Sequence, residues 1–332
     1  METQKKNHTQ ISHELIAKHQ VLRDLIGTSP FYYVDVPLHA NIGDLLIMQG
    51  TLAFFKKINV TPRLSAPYFS FRDEWVRPGD TIVCHGGGNF GDLYPPLQEF
   101  RERLAVAKPG NRIIITPQSI HFTSDLALKK SAQLFRTHPD LHLCVRDAVS
   151  YDLAKQFTDK VYLMPDMAHQ LFPITANSTI AANGVLQISR VDDEKIDDHN
   201  RAQFSARTRT DWPVVVGNHE LIISLFRKVS NRLGKLRLGF LANTIIMPIW
   251  VAYSKMLTND AIKLFAGHEE IVSDRLHGHI LAVLMSKPNT VLDNSYGKNS
   301  RYANEWTAAS ELVTLTPSVP SHSDSSPEGN LA

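Results

Sequence analysis

The sequence is poor in cysteine and has almost no excess of either charge. Only two cysteines, Cys84 and Cys144, occur in 332 residues, and each lies within an apolar run. This excludes a disulfide framework and fits a reducing compartment. Thirty-five Lys and Arg against 33 Asp and Glu leave a formal charge of +2, so net charge gives no support for nucleic-acid binding. The 43% hydrophobic content at this length predicts a globular protein large enough for two domains.

Signals for secretion and for membrane insertion are also absent. The polar N-terminus METQKKNHTQ has no basic segment leading into an apolar one, so we expect no secretory signal and a cytoplasmic protein. The strongly apolar, uncharged stretch 238–253 is shorter than the ~20 residues of a spanning helix. Residues 226–237 carry five Lys and Arg, which is compatible with peripheral contact with the inner face of the cytoplasmic membrane. A solvated helix face explains the same pattern.

Short apolar runs alternate with helix-length segments, which is typical of parallel sheets with crossover helices. The predicted strands lie at 31–36, 81–87, 112–117, 141–145, 161–165, 184–189, 244–253, 269–274 and 289–294. The alternation breaks around 170–183. We therefore expect an α/β protein of two Rossmann-like doubly wound domains facing a cleft, a GT-B-like architecture, with domains at 1–175 and 176–313. The Ser- and Pro-rich segment 314–332 is expected to be a disordered tail.

Two loops at predicted strand ends could approach a ligand. Asn41-Ile42-Gly43-Asp44 enters a helix whose free amides could receive an anion or a sugar hydroxyl, although Asp44 could equally be the helix N-cap. The segment GGGNFGD at 86–92 lets backbone approach a ligand closely, although it could equally be a tight turn. It matches neither the dinucleotide nor the P-loop fingerprint. The neighbouring His85 fits a packing role as well as a ligand role.

A third loop carries the strongest local signal. In SDRLHGH at 273–279, an apolar strand turns directly into a helix with an acid, a guanidinium and two imidazoles at the turn. Arg275 could clamp a carboxylate or phosphate, and His277 could transfer a proton near neutral pH. A metal site is disfavoured because no third ligand follows at a recognisable spacing. The alternative is that Asp274 and Arg275 form only a surface salt bridge and helix cap.

These loops, in this order, resemble the polysaccharide pyruvyl transferase family over residues 31–306. The resemblance rests on NIGD at 41–44, GGGNFGD at 86–92, TPQSI at 116–120, RD at 146–147, PD at 165–166 and SDRLHGHILAVLMSKPNTVLDNSYGK at 273–298. It implies a GT-B-like fold, no essential metal or cofactor, and transfer of the pyruvyl group of phosphoenolpyruvate onto a sugar as a ketal. The process implied is bacterial exopolysaccharide or cell-surface polysaccharide biosynthesis.

The resemblance assigns Arg275, Leu276 and His277 to phosphoenolpyruvate binding and catalysis, and Arg190 to contact with the donor. Our hypothesis gives His277 the acid or acid/base role and Asp274 an orienting or basic role. A sugar or lipid-linked oligosaccharide acceptor is expected against the first domain. The remaining expected substrate-binding residues are Asn41, Gly43, Asp44, Gly87, Gly88, Asn89, Asp92 and His279.

Two other functions fit the same pattern. A GT-B glycosyltransferase that uses a nucleotide sugar would share the fold, and fold alone does not choose the donor. A non-catalytic relative that binds a saccharide would share the loops, but it has no evident need for the D-R-L-H turn.

Overall fold

The computed structural model describes residues 5–176, 181–190, 208–293 and 297–316. Within these ranges, strands and helices alternate along the chain and build two sheets in which every strand pair is parallel. The apolar runs form strands buried on both faces, as parallel sheets covered by helices require.

The first sheet has the order β2-β1-β3-β5-β6-β7, and β4 pairs with the far end of β5. Its strands are β1 (Phe31–Val34), β2 (Leu64–Ala66), β3 (Thr81–Cys84), β4 (Gly87–Gly91), β5 (Arg112–His121), β6 (Leu141–Val145) and β7 (Val161–Leu163). The helices in this part of the chain are α1 (His8–Lys18), α2 (Gln20–Ile26), α3 (Ile42–Lys57), α4 (Pro95–Ala107), α5 (Asp125–Arg136) and α6 (Ala148–Ala154).

The second sheet has the order β12-β11-β10-β8-β9. Its strands are β8 (Val185–Ile188), β9 (Thr208–Thr210), β10 (Glu270–Ser273), β11 (Asn289–Val291) and β12 (Val313–Leu315). The helices are α7 (Trp212–Val216), α8 (Glu220–Lys235), α9 (Gly239–Ala266), α10 (Leu276–Leu284) and α11 (Lys298–Trp306). Two parallel α/β sheets of Rossmann type are therefore present, as the sequence predicts.

The two halves of the chain share packed surfaces. The ring of His8 at the start of α1 contacts the backbone oxygen of Val283 at 2.9 Å, which ties the N-terminal segment to the second sheet. Conversely, α9 packs on α3 and β2 of the first half. One hydrophobic cluster accordingly joins Leu46 and Met167 to Trp250 and Leu281. The predicted division between residues 175 and 176 stays a prediction.

Three predictions about individual segments are wrong. Residues 244–253 form the middle of helix α9 and not a strand, because Asn243, Met247, Trp250, Ser254 and Leu257 recur at helical spacing and are buried as one stripe. Pro248 lies inside this helix on its exposed side.

The other two errors are smaller. The glycine-rich segment continues as the strand β4, because β5 is long enough to pair with β3 at its start and with β4 at its end. Residues 313–315 are strand β12 beside β11, so the predicted tail cannot begin at 314. Its remainder, from residue 317 onward, lies outside the described residues.

Candidate functional site

A cavity of about 520 Å³ opens at the carboxyl ends of strands from both sheets. Asp35 follows β1, His85 follows β3 and Arg146 follows β6, whereas Arg190 and Arg275 follow β8 and β10 of the second sheet. Carboxyl ends of parallel strands meet at one edge of a sheet, where ligands of α/β proteins bind. Residues distant in sequence are therefore brought together in one place.

The cavity wall is rich in positive charge. Its lining includes five Lys and Arg residues, namely Arg146, Arg190, Arg227, Arg275 and Lys298. The acidic side chains that line it are Asp35 and Asp44, and Asp35 is already paired with the buried Arg101. An excess of cations in a concave, poorly hydrated site concentrates anionic ligands.

Gly88 allows two of these cations to approach one another. A Cβ atom on Gly88 would lie 2.6 Å from Nζ of Lys298 and 3.1 Å from Nη2 of Arg146. The two cationic nitrogens consequently lie within about 6 Å of each other, close enough for like charges to repel in a protein interior. An anion such as a phosphate or carboxylate would relieve that repulsion. Because Gly88 has no side chain, it leaves the space that the two cationic side chains occupy.

His277 lines the cavity from the first turn of α10, and its Nε2 lies 3.3 Å from Oδ2 of Asp166. Asp166 is fully buried, also pairs with Arg146, and accepts a hydrogen bond from the backbone N–H of Ala168. Burial opposes ionisation of Asp166, but His277 and Arg146 outweigh it and hold the pKa of this carboxyl well below its ordinary value. A buried, ionised carboxylate therefore lies within ion-pair distance of the His277 ring.

Gly43 makes room for the same ring. A Cβ atom on Gly43 would lie 2.5 Å from Nδ1 of His277 and 2.7 Å from its Cγ, distances that real Cβ atoms essentially never show. Asn41 is the N-cap of α3, since its Oδ1 accepts a hydrogen bond from the N–H of Gly43 at 2.9 Å. This settles the alternative for Asp44: it lies in the first turn of α3, and its carboxylate lines the cavity 3.6 Å from His39.

Arg275 is held by two hydrogen bonds to one carboxylate. Its Nε and Nη2 donate to Oδ1 and Oδ2 of Asp211 at 2.8 and 2.6 Å. Asp211 follows β9 and is 1% exposed, whereas the Arg275 side chain keeps 13% of its surface accessible. A bidentate carboxylate fixes the plane of the guanidinium, so that its remaining donor groups have a defined direction.

Asp274 is not where a catalytic group would be. The residue is 1% exposed and does not line the cavity. Its Oδ1 accepts a hydrogen bond from the backbone N–H of Arg190 at 2.8 Å, and its backbone oxygen accepts one from Asn299 at 2.6 Å. Asp274 therefore joins the ends of β8 and β10 to α11, a place that favours the orienting alternative over the basic one, and its catalytic role stays a prediction.

His279 and Asp92 also lie away from the cavity. His279 is 1% exposed, and its ring nitrogens contact Oδ1 of Asn289 at 2.6 Å and Oγ1 of Thr307 at 2.8 Å. Asp92 accepts hydrogen bonds from the backbone N–H groups of Thr123 and Ser124 at the start of α5. These positions give no support for the substrate binding expected of both residues: His279 packs in the core, and Asp92 stabilises the start of α5.

The other expected residues lie at or beside the cavity. Those that line it are Asn41, Asp44, Gly88, Asn89, Arg190, Arg275, Leu276 and His277. Asn89 also accepts a hydrogen bond from Arg101 at 2.6 Å, and a Cβ atom on Gly87 would lie 3.3 Å from Asp44. His85 lines the cavity while its buried ring contacts the Tyr33 hydroxyl at 2.6 Å, so both of its alternatives stay open. Burial lowers the pKa of His85 to about 3.

Four residues of the site have no role in the predictions from the sequence: Arg146, Asp166, Asp211 and Lys298. Arg146 and Asp166 each lie within three residues of the end of a correctly predicted strand, in the RD and PD segments. Charge at a strand end was therefore the signal that could have found them. Asp211 ends a polar segment without a predicted strand, and Lys298 follows a loop, so neither carried such a signal.

Fold and site together define an α/β protein with a cationic cleft and a cavity-lining histidine paired with a buried carboxylate, a site suited to an anionic substrate. The sequence matches the polysaccharide pyruvyl transferase family over residues 41–296, and the chain belongs to that family. It is 39% identical to "Putative pyruvyl transferase EpsO" of Bacillus subtilis, with 89% of this chain and 92% of that protein covered.

Two further similarities extend this result. The chain is 30% identical to "Pyruvyl transferase 1" of Schizosaccharomyces pombe, over 84% of this chain and 70% of that protein. A solved structure of an uncharacterized Klebsiella pneumoniae protein superposes with a TM-score of 0.55 at 19% identity, covering 91% of this chain and 98% of that one. This structure supports the fold alone.

Proposed function

We propose that this protein transfers the pyruvyl group of phosphoenolpyruvate to two hydroxyls of a saccharide, forming a ketal and releasing phosphate. The observation that carries the proposal is the pairing of His277 with the buried Asp166 in a cavity lined by five cations. Phosphoenolpyruvate bears a phosphate and a carboxylate, so its binding needs cations, and its activation needs a proton donor.

The cations are arranged to hold two anionic groups. Arg146 and Lys298 converge beside Gly88, and Arg275 and Arg190 approach from the ends of β10 and β8. We assign one anionic group of the donor to each pair. Each pair joins residues from different elements. Binding of the donor between the two pairs would therefore fix the orientation of the donor relative to His277.

In the proposed reaction, His277 donates a proton to the methylene carbon of phosphoenolpyruvate, which becomes the methyl group. The carbon that bears the phosphate then has oxocarbenium character, which the donor's own carboxylate partly neutralises. A sugar hydroxyl forms a bond to this carbon and passes its proton to the now neutral His277, which restores the proton donor. The C–O bond to phosphate breaks with its electron pair, the second hydroxyl closes the ketal, and its proton leaves with phosphate. Asp166 remains a carboxylate throughout and keeps the ring of His277 in place.

The acceptor is assigned to the first-sheet side of the cavity. Asn41, Asp44 and Asn89 line that side and carry groups that can hydrogen-bond sugar hydroxyls. We take the arrangement of the two sheets around the cavity to be of the GT-B type, and the acceptor to be a sugar or lipid-linked oligosaccharide. The two cysteines are free and buried, which fits work in the cytoplasm.

Calorimetric titration with phosphoenolpyruvate, and separately with uridine diphosphate sugars, tests the proposal. A blank titration is repeated with a saccharide mixture, because some transferases bind donor only after acceptor. We expect Arg275→Met to weaken phosphoenolpyruvate binding ~10- to 100-fold, the range for a charged hydrogen-bonded contact. The matched control is Arg103→Met, which also removes an arginine paired with an aspartate, at an exposed position outside the cavity lining. Binding of a nucleotide sugar alone would overturn the proposal in favour of a glycosyltransferase.

A further inference from the structure

Helices α8 and α9 expose an unusual amount of apolar surface. Eleven of the 18 large hydrophobic side chains that are exposed in the described residues lie between positions 221 and 256. They are Leu221, Ile222, Leu225, Val229, Leu236, Leu238, Phe240, Leu241, Ile245, Ile249 and Met256. Leu221, Leu225 and Val229 on α8 and Leu241, Ile245 and Ile249 on α9 recur at intervals of four residues, so each helix presents an exposed apolar stripe. We call all eleven residues the α8–α9 surface.

The same segment carries positive charge and no negative charge. Residues 221–259 contain six Lys and Arg and neither Asp nor Glu. Five of these, Arg227, Lys228, Arg232, Lys235 and Arg237, are exposed along α8 and the turn into α9. An apolar stripe with cations beside it is the composition of helices that lie in a membrane interface.

The inner side of these helices is anchored to the rest of the protein. The indole N–H of Trp250 donates to the backbone oxygen of Pro37 at 2.8 Å, and Arg72 donates to the backbone oxygen of Gly234 at 2.8 Å. Asn243 donates to Ser70 at 3.0 Å.

Helix α9 alone, among the described helices, is long and apolar enough to cross a bilayer, although 33% of its most apolar window is buried in the structure. Those inner contacts can be kept only if the helix lies along a bilayer and not through it.

We propose that the α8–α9 surface docks on an anionic lipid bilayer. Anionic headgroups would neutralise the cations, while the exposed apolar side chains would enter the boundary between headgroups and acyl chains. A second copy of this chain is a poorer occupant. A two-fold contact would place the same patch on both partners, and residues 221–259 hold six cations that are flanked by only Glu220 and Asp260.

Docking would bring the cavity close to the headgroups. Arg227 lies on α8, within the basic segment, and also lines the cavity, whose mouth carries the exposed side chains of Leu93 and Tyr94. An acceptor anchored in the bilayer could then reach the cavity without leaving the membrane. This step rests on the proposed pyruvyl transfer and selects a lipid-linked saccharide as acceptor, whereas the docking itself does not depend on it.

Flotation of the full chain with vesicles tests the docking. We expect binding to phosphatidylcholine vesicles that contain 30% phosphatidylglycerol and little binding to pure phosphatidylcholine. The double variant Arg232→Ser/Lys235→Ser should weaken binding about 25-fold, since each basic residue near an anionic surface contributes about fivefold. Leu241→Ser/Ile245→Ser should weaken it at least ~tenfold through lost apolar insertion.

Matched controls come from α5, which also has an exposed leucine and two exposed lysines. Leu126→Ser and Lys129→Ser/Lys130→Ser should leave vesicle binding unchanged. Equal binding to both vesicle types, or no binding to either, would overturn the proposal. Light scattering without vesicles measures the mass of the protein in solution. A dimer that Leu241→Ser/Ile245→Ser dissociates would also overturn the proposal, because a second copy would then cover the α8–α9 surface. Turnover with a water-soluble saccharide reports on the chemistry alone, so failure of docking and failure of the proposed function are distinguishable.

Discussion

His277 and His279 are two residues apart in the same helix turn but have opposite environments. His277 faces the cavity and lies 3.3 Å from Asp166, whereas His279 faces the core between Asn289 and Thr307. Burial lowers the pKa of His279 to about 4, so it is neutral at physiological pH. The same residue type in the same motif is therefore a candidate proton donor in one case and a packing residue in the other.

The helix period produces this difference. Because α10 begins at Leu276, residues 277 and 279 are about 200° apart around its axis and cannot share a face. Gly278 between them packs against the strand, where a Cβ atom would lie 2.1 Å from Oγ of Ser273. Composition of the motif alone does not distinguish the two histidines, but their angular positions do.

The largest expected effect is that of His277→Gln on turnover. Glutamine keeps a hydrogen-bonding group of similar size but cannot donate a proton to carbon, so we expect kcat to fall by ~10²- to 10⁴-fold. The thermal unfolding temperature should change little. Turnover is measured as phosphate release from phosphoenolpyruvate in the presence of acceptor. Near-normal turnover in this variant would remove His277 from the mechanism.

His279→Gln is expected to lower the stability of the protein and to leave its turnover unchanged. The variant loses two buried hydrogen bonds and part of the packing of a fully buried ring, so the free energy of unfolding should fall by about 1–3 kcal/mol. Turnover per folded molecule should be retained. Chemical denaturation measures the first quantity, and a selective loss of kcat without loss of stability would show that the comparison between the two histidines is wrong.

Gly43→Ala probes the cavity-side histidine without changing it. The new Cβ would lie 2.5 Å from Nδ1 of His277, and the ring must move away from Asp166 or from the cavity. A displacement of about 1 Å can cost ~10²-fold in rate, and we expect a loss of that size in kcat. Gly110→Ala is the matched control, since a Cβ atom there meets nothing within 4 Å. Unchanged kcat in Gly43→Ala would show that the position of the ring is unimportant.

Much of this architecture could be predicted from the sequence because buried parallel strands leave a strong local signal. The runs at 112–117 and 141–145 are short and largely apolar, and both are strands. The stretch 244–253 is equally apolar, and only the burial of Trp250 and its neighbours against the first half of the chain shows that it is helical. A short apolar run does not encode which of the two structures its tertiary contacts will select.

The residues of the site likewise divide into those that could be predicted from the sequence and those that could not. Arg275 and His277 could be predicted because the motif places costly charges directly at a strand end. Their carboxylate partners could not be paired with them, because Asp166 and Asp211 are 111 and 64 residues away in sequence. Glycines at 43 and 88 were expected to approach a ligand through backbone. Instead they leave room for side chains that the fold brings from other elements.

The smallest expected effect concerns the pH dependence of stability, and it extends the contrast to other core histidines. Burial lowers the pKa of His19 and His279 to about 4 and of His85 and His169 to about 3. In the unfolded chain these groups titrate near 6.5 and take up protons that the fold excludes. Their contribution to stability is therefore complete above pH 6.5 and is lost as the pH falls toward 4.

Asp35 acts in the opposite direction over part of this range. Burial raises its pKa to about 6, although Arg101 lowers it, so near pH 5 the fold holds a proton there that the unfolded chain does not. The four histidines should thus give a net uptake of protons on unfolding near pH 5, which Asp35 partly offsets. His279→Gln should reduce this uptake by about one proton. Urea denaturation at a series of pH values between 4.5 and 7 measures both slopes. An identical slope in the variant would mean that His279 is already protonated in the folded core, and the distinction between the two histidines would then lose its electrostatic basis.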